Sequence, residues 1–253
     1  ETISLACLWW MTATRGFGAN STMASENSND FDAIVVGSGI SGGWAAKELT
    51  ERGLKVLMLE RGRNVTHRHD YVTEGKASWE MPFAGQIPES LTESDYAMQN
   101  QCYAFSDYTK HFFVNDRENP YATAGDKPFT WIRGYQLGGR SLIWHRHSYR
   151  LSDLDFKANK LDGHGTDWPI RYKDLAPWYD HAETFAGISG SLEGLPQLPD
   201  GVFQPPFPMN CVEKDIKKNI EAAFADRNLI MGRVAHLTEP TKEQMALGRS
   251  RCM

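Results

Sequence analysis

The sequence predicts an α/β fold, and three observations carry that reading. An apolar run rich in β-formers, Phe31 to Val36, stops at a turn studded with glycine. A helical stretch and a second apolar run, Lys55 to Leu59, follow directly and complete a βαβ unit. Farther on, apolar residues recur at helical spacing over 174–186 and 212–228.

The first run alone could equally be a buried helix segment. Its abrupt end at Gly37-Ser38-Gly39-Ile40-Ser41-Gly42 favours a strand. In such a turn Gly37 permits the tight bend, Gly39 lets the backbone approach a pyrophosphate, and Gly42 lets the helix pack closely on the strand. The helix is expected from Ser41 to Arg52, with Ala45, Ala46 and Leu49 on its inner face and Gly53 ending it. Its N-terminal N–H groups and positive dipole end suit phosphate. Glu60 closes the second strand, at the roughly 20-residue distance where a carboxylate accepts from ribose hydroxyls. The same charge repels a 2′-phosphate, which disfavours an NADP-type ligand. The plainer alternative is a βαβ unit whose glycines serve only packing; a glycine triplet that follows a strand, opens a helix and precedes an acid favours a Rossmann-like dinucleotide-binding unit.

The chain has 253 residues, 41% hydrophobic and 23% charged, with a net charge of −5. That is an ordinary soluble composition with length for one large or two smaller domains. Nothing in it invites nucleic acid or an anionic membrane, and no stretch is long enough to span a bilayer. Cys7, Cys102, Cys211 and Cys252 lie far apart, without a Cys-x-x-Cys pair. This argues against a zinc site or a disulfide framework and implies a reducing compartment, the cytoplasm, with the periplasm as the alternative. Residues 1–30 have the composition of a disordered leader. Met23 is the expected natural start, and a clipped secretion signal is the rival reading.

From Val65 to Thr130 there is no clear periodicity, but aromatics are frequent: Trp79, Phe83, Tyr96, Tyr103, Phe105, Tyr108, Phe112 and Phe113. An excursion of this length is often a lid or binding segment, and core packing explains the aromatics equally well. In Phe129 to Arg150, Gly134, Gly138 and Gly139 punctuate apolar residues, which suggests backbone pressed against a flat ligand or, more plainly, a turn between strands. A short helix is expected near 155–160. A stronger one spans 174–186, capped by Asp174, with Pro177 in its first turn and Leu175, Trp178, Tyr179, Ala182, Phe185 and Ala186 on one face. Residues 190–208 read as loop. The helix over 212–228 turns Ile216, Ile220, Ala223 and Phe224 inward, and 233–237 reads as a strand.

Two stretches resemble one family. GxGxxG at 37–42, with Ala46, Gly53 and LERG at 59–62, fits the FAD variant of the dinucleotide fold. RGYQLGGRSLIW at 133–144 is similar to the glycine signature of the glucose–methanol–choline (GMC) oxidoreductases, although Tyr135, Arg140 and Trp144 depart from it. DWPIRYKDLAPWYDHAE at 167–183 resembles their bacterial sugar and alcohol dehydrogenase branch. The resemblance implies a GMC-type FAD-binding core over 31–150, with a lid-like insertion at 65–130, and the start of a substrate domain over 151–253. Family members are about twice as long, so the chain reads as an N-terminal part without its C-terminal half.

By the same resemblance, FAD is held by Gly37, Ser38, Gly39, Ile40, Ser41, Gly42, Glu60, Arg61, Arg133, Leu137, Gly138, Gly139, Ser141 and Trp144. Ile143 stands where some members carry a flavin-linked histidine, so the FAD is expected to be non-covalent. The implied reaction moves a hydride from the CH–OH carbon of an alcohol or sugar to flavin N5, with an unidentified electron acceptor downstream. The family's catalytic base lies near the C-terminus, so no catalytic residue is expected within 1–253, and the isolated span is expected to be inactive. Arg133 and Arg140 either offset charge on FAD or pair with nearby acids. His145 and His147, and His67 and His69, are spaced i, i+2 and share one face if extended, but no third metal ligand is evident. Hydrogen-bonding or surface roles are the plainer reading, with His145 and His147 also candidates near the flavin. Another FAD- or NAD-linked dehydrogenase, or a non-catalytic nucleotide-binding fragment, remains the alternative.

Overall fold

The computed structural model describes residues 30–252. The expected leader, its start at Met23 and Cys7 all lie outside the described residues, apart from Asp30. Two compact units are present, one ending at Trp144 and one beginning at His145.

The first unit opens with β1 (Ala33–Val36), α1 (Ile40–Glu51) and β2 (Val56–Leu59). β1 and β2 pair in parallel, from Ala33 opposite Val56 to Val36 opposite Leu59. A parallel pair needs a crossover, and α1 provides it. The ladder is closed at both ends: Lys55 N–H donates to the Asp32 carboxylate at 2.7 Å, and Gly37 N–H donates to the Leu59 carbonyl at 2.7 Å. Alternation along β1 sends Val35 toward α1, where a Cβ built on Gly42 would lie 3.4 Å from Val35 Cγ1. Ile34 and Val36 point the other way and are 62% and 81% exposed.

One position on α1, Ala45, corrects the expected inner face. Ala46 is buried, Leu49 is half-buried, and Ala45 is exposed. Gly42, Ala46 and Leu49 follow the i, i+4, i+7 stripe, and Ala45 lies about 100° off Ala46, where one turn holds 3.6 residues. Lys47 is buried as well; its ammonium donates to Glu48 at 3.0 Å and Glu51 at 2.7 Å.

After β2 the chain is irregular, with short 3₁₀ turns and α2 (Glu89–Ser94). The aromatics of this stretch divide. Phe112 and Phe113 are buried, with edge contacts to Tyr71 and Phe105, and Trp79, Phe83 and Tyr103 are exposed. Polar groups tie the stretch together where periodicity is lacking. Gln99, fully buried, donates to Asp116 at 2.8 Å and to the Trp131 carbonyl at 3.0 Å, and accepts from Arg133 N–H at 2.8 Å.

The second unit holds α3 (Asp153–Asp162), α4 (Tyr172–Ala186), α5 (Cys211–Ala223) and α6 (Lys242–Ala246). α4 starts two residues before the expected cap. Asp174 therefore lies inside the first turn and accepts from Arg171 N–H at 2.8 Å, and Pro177 falls past the first turn, where its missing N–H removes one helical bond. Trp178 is 60% exposed, and the buried residue of α4 is Glu183. α5 ends at Ala223, five residues short of expectation, because Phe224 is extended. Its expected inner residues Ile216, Ala223 and Phe224 are exposed. No strand forms over 233–237; Val234 makes single bridges to His147 and Ser189.

The core of this unit is small, with Phe156, Ile188 and Leu237 buried, and a buried ion network supplements it. The Arg150 guanidinium grips Glu183 at 2.8 and 2.5 Å, Asp180 at 2.5 Å and the Tyr172 hydroxyl at 2.9 Å. Burial lowers the Arg150 pKa, but these acceptors outweigh it and hold the group charged.

Candidate nucleotide site

The glycine turn sits between β1 and α1. A Cβ on Gly42 would lie 1.9 Å from the Gly37 carbonyl oxygen, so only glycine lets the helix begin there. A Cβ on Gly37 or Gly39 would meet nothing within 4 Å, so the face of the turn is open to an approaching group. No side chain caps α1, and its first turn holds no acid. Its first N–H groups, on Ile40, Ser41 and Gly42, have no intrahelical acceptor and carry the positive end of the dipole. A diphosphate fits these donors.

Glu60 stands just past β2. Its Oε2 accepts from Ser38 N–H at 2.8 Å and from the Ser38 hydroxyl at 2.6 Å, and its Oε1 accepts from Gly62 N–H at 2.8 Å. Burial pushes its pKa up. The Ser38 hydroxyl and the backbone donors of Ser38, Gly62 and Arg61 outweigh that, so the carboxyl titrates below its ordinary range.

The second glycine motif reaches the first by tertiary contacts. Arg63 N–H donates to the Tyr135 carbonyl at 3.3 Å and Leu137 N–H donates to the Arg63 carbonyl at 2.9 Å, forming a parallel bridge with Gln136. A Cβ on Gly62 would come within 2.2 Å of Tyr135 and Gln136 backbone, which makes that glycine obligatory for the approach. Gly138 N–H donates to the Ser38 hydroxyl at 2.9 Å. A Cβ on Gly139 would be 3.2 Å from Gly39 Cα, so the two turns touch backbone to backbone. Gly138 has φ +88°, and a 3₁₀ turn over Gly139–Ile143 follows it.

The structure therefore gathers Gly37 to Gly42, Glu60, Leu137, Gly138 and Gly139. Ser141 donates its hydroxyl to the Gly138 carbonyl at 2.6 Å and braces the second turn. Arg61 stacks on the Tyr135 ring at 3.7 Å. Arg133 is buried and directed elsewhere, toward Asp116 at 3.2 Å, the Asn119 carbonyl at 2.8 Å and the Tyr135 hydroxyl at 3.1 Å. Arg140 and Trp144 are exposed. His145 and His147 belong to the second unit. His67 and His69 face Glu74 at 3.3 Å and Asp70 at 3.6 Å. Among the described residues no group of three or more His, Cys, Asp or Glu gathers as for a metal, and no helix is long and apolar enough to cross a membrane.

Sequence reasoning passed over Gly62 and Gln136. Gln136 is buried, and its amide donates to the Phe112 carbonyl at 3.0 Å and the Gly139 carbonyl at 3.1 Å, which orients the second turn. Gly62 sits within the LERG stretch, so its signal was present; Gln136 carries none.

Fold and turn together define a Rossmann-like α/β unit, and a family profile described as an NAD(P)-binding Rossmann-like domain matches residues 35–82. The chain is 30% identical over 189 residues to the fructose dehydrogenase large subunit of Gluconobacter japonicus, covering 73% of this chain and 32% of that protein. It is 29% identical over 185 residues to 2-methyl-1,2-propanediol dehydrogenase of Mycolicibacterium austroafricanum (70% and 28%) and 31% identical over 194 residues to the gluconate 2-dehydrogenase flavoprotein of Pantoea cypripedii (70% and 28%). The chain is thus a relative of the GMC-type oxidoreductases. The matched region is about a third or less of the length of these relatives.

Proposed function

We propose that this chain is the nucleotide-binding part of an FAD-dependent oxidoreductase acting on the CH–OH group of an alcohol or sugar. The carrying observation is the uncapped α1 N-terminus behind an open glycine turn, with Glu60 at the end of β2 and Gly139 against Gly39. The names of the relatives, two sugar-acid or sugar dehydrogenases and a diol dehydrogenase, support the substrate class.

Bound flavin supplies the hydride acceptor for such a reaction. The chain's own residues bind and orient. The N–H groups of Ile40, Ser41 and Gly42 hold the diphosphate, Glu60 meets the adenosine ribose, and Gly138 and Gly139 keep side chains away from the adjoining ligand surface. Ile143 offers no nucleophile for a flavin bond, so attachment is non-covalent. We assign no base within 1–253; the proton acceptor and the substrate pocket belong to other residues of the working enzyme.

The test is titration of the purified chain with FAD and with NADH, followed by acid precipitation of the loaded protein. FAD binding, with all flavin released to the supernatant, is expected. Binding of NADH but not FAD overturns the cofactor assignment, and yellow colour kept in the pellet overturns non-covalent attachment. Saturable dye reduction with sugars or simple alcohols would place the base within this chain, with His145 and His147 the first residues to replace.

A further inference from the structure

Ser38 is the middle residue of a hydrogen-bonded chain that no local sequence signal announces. Gly138 N–H donates to Ser38 Oγ at 2.9 Å, and Ser38 Oγ–H donates to Glu60 Oε2 at 2.6 Å. The Ser38 backbone N–H donates to the same oxygen at 2.8 Å. A hydroxyl has one proton, and here the carboxylate takes it. Both donors of Ser38 are therefore committed inside the protein, and the residue is 6% exposed. Ser38 lies 100 residues from Gly138 and 22 from Glu60, so it joins three segments that are distant in sequence.

We propose that Ser38 is a positioning residue rather than a cofactor ligand: its hydroxyl fixes the Glu60 carboxylate and the second glycine turn in one geometry. The inference rests on the nucleotide-site reading above. The carboxylate polarises the hydroxyl, which becomes the better acceptor for Gly138 N–H, so each bond strengthens the other. A change at Glu60 is felt at Gly138 through this one oxygen. The diphosphate then depends on the N–H groups of Ile40, Ser41 and Gly42, and Ser38 acts on binding only through what it holds.

The test uses Ser38→Ala and Ser38→Thr in the whole chain, without ligand first. Two readouts are the hydrogen exchange of the Gly138 amide by NMR and the titration of the Glu60 carboxyl. In Ser38→Ala, Gly138 exchange should quicken and the Glu60 pKa should rise toward the ordinary carboxylate value. FAD binding should weaken about 10-fold, as for loss of a hydrogen bond to a charged group. Ser38→Thr, which keeps the hydroxyl, should restore the Glu60 titration. If Ser38 only touched the cofactor, Ser38→Ala would weaken FAD while leaving both ligand-free readouts unchanged; that result overturns the proposal. Should Ser38→Ala fail to fold, Glu60→Gln decides the matter: faster Gly138 exchange supports the relay, and unchanged exchange refutes it. A wild-type chain that binds no FAD would refute the cofactor reading alone, because the ligand-free readouts still judge Ser38.

Discussion

α1 in the first unit and three helices of the second finish their N-termini in opposite ways. In the second unit α3, α5 and α6 carry a side-chain cap, whereas α4 has none at Arg171 and its first N–H, on Tyr172, donates to Asp153 of α3 at 2.9 Å. Ser152 and Asp155 close α3, with Leu154 N–H donating to the serine at 3.2 Å and Ser152 N–H to the aspartate at 2.6 Å. Asp174 reaches back over α4, Asn210 and Glu213 exchange bonds at 2.9 and 2.7 Å over α5, and Thr241 and Gln244 do so at 3.2 and 2.9 Å over α6. In the first unit Gly39 precedes α1 with no side-chain cap, and the first turn holds no acid. A cap satisfies orphan donors from within the chain, whereas an uncapped glycine turn leaves them to a ligand. The difference teaches that the same backbone feature serves stability in one place and binding in the other, and the flanking residue type decides which.

Four experiments test this contrast. The largest effect is expected in the unit that closes on itself. Arg150→Met leaves the buried Glu183 without its cation, and truncating one partner of such a pair costs about 3–5 kcal/mol; urea unfolding followed on a second-unit probe measures it. A loss under 1 kcal/mol would show that the network is not a stabilising element.

Next is Gly39→Asp, which gives α1 the kind of cap found on α5. Gly39 has φ −61° and ψ −178°, extended backbone that aspartate adopts without strain, and its Cβ meets no protein atom within 4 Å. Stability should change by only a few tenths of a kcal/mol, since glycine is itself a tolerable cap. FAD affinity should fall about 100-fold or more, because the new carboxylate occupies and repels where the diphosphate binds. Retained affinity by calorimetry would show that the α1 N-terminus is not the phosphate site.

Glu60→Ala should weaken FAD by roughly 1–3 kcal/mol, the range for lost charged hydrogen bonds. The same residue predicts a pH dependence. The folded carboxyl titrates below its unfolded value, so its stabilisation is present above the ordinary carboxylate range and is lost as pH falls through the lower folded pKa. The melting temperature of the wild-type chain should therefore drop across that acid window more than that of Glu60→Gln. Parallel curves would remove Glu60 from the account.

The smallest effect is Asn210→Ala. It should cost α5 about 1 kcal/mol and leave FAD affinity unchanged. A change in FAD affinity would break the division between closing caps and binding ends.

The βαβ unit was legible because its determinants are local. Strand, turn, helix and acid lie within 30 residues, and each glycine acts on its immediate neighbours. Helix faces were legible only as preferences. The spacing of Ile216, Ile220 and Ala223 shows which side of α5 is apolar, but Ile216 and Ala223 on that side are exposed and Ile220 only half-buried, and Trp178 on α4 is exposed. Periodicity states which residues favour burial, and only packing states whether anything covers them. Aromatics over 65–130 divided between core and surface for the same reason.

By itself the sequence determined the parallel βαβ unit, the open turn at 37–42, the acid at its rim and the relation to a family, because each depends on short-range geometry or on residue identity. Tertiary structure alone decided that Ser38 meets Gly138, that Arg63 pairs with Gln136, that Arg133 turns to Asp116, and that Glu183 is the buried residue of α4. These are single polar contacts between distant segments. A lone hydroxyl, amide or guanidinium has no periodicity, and its partner is chosen only when the fold brings a matching donor or acceptor within about 3 Å.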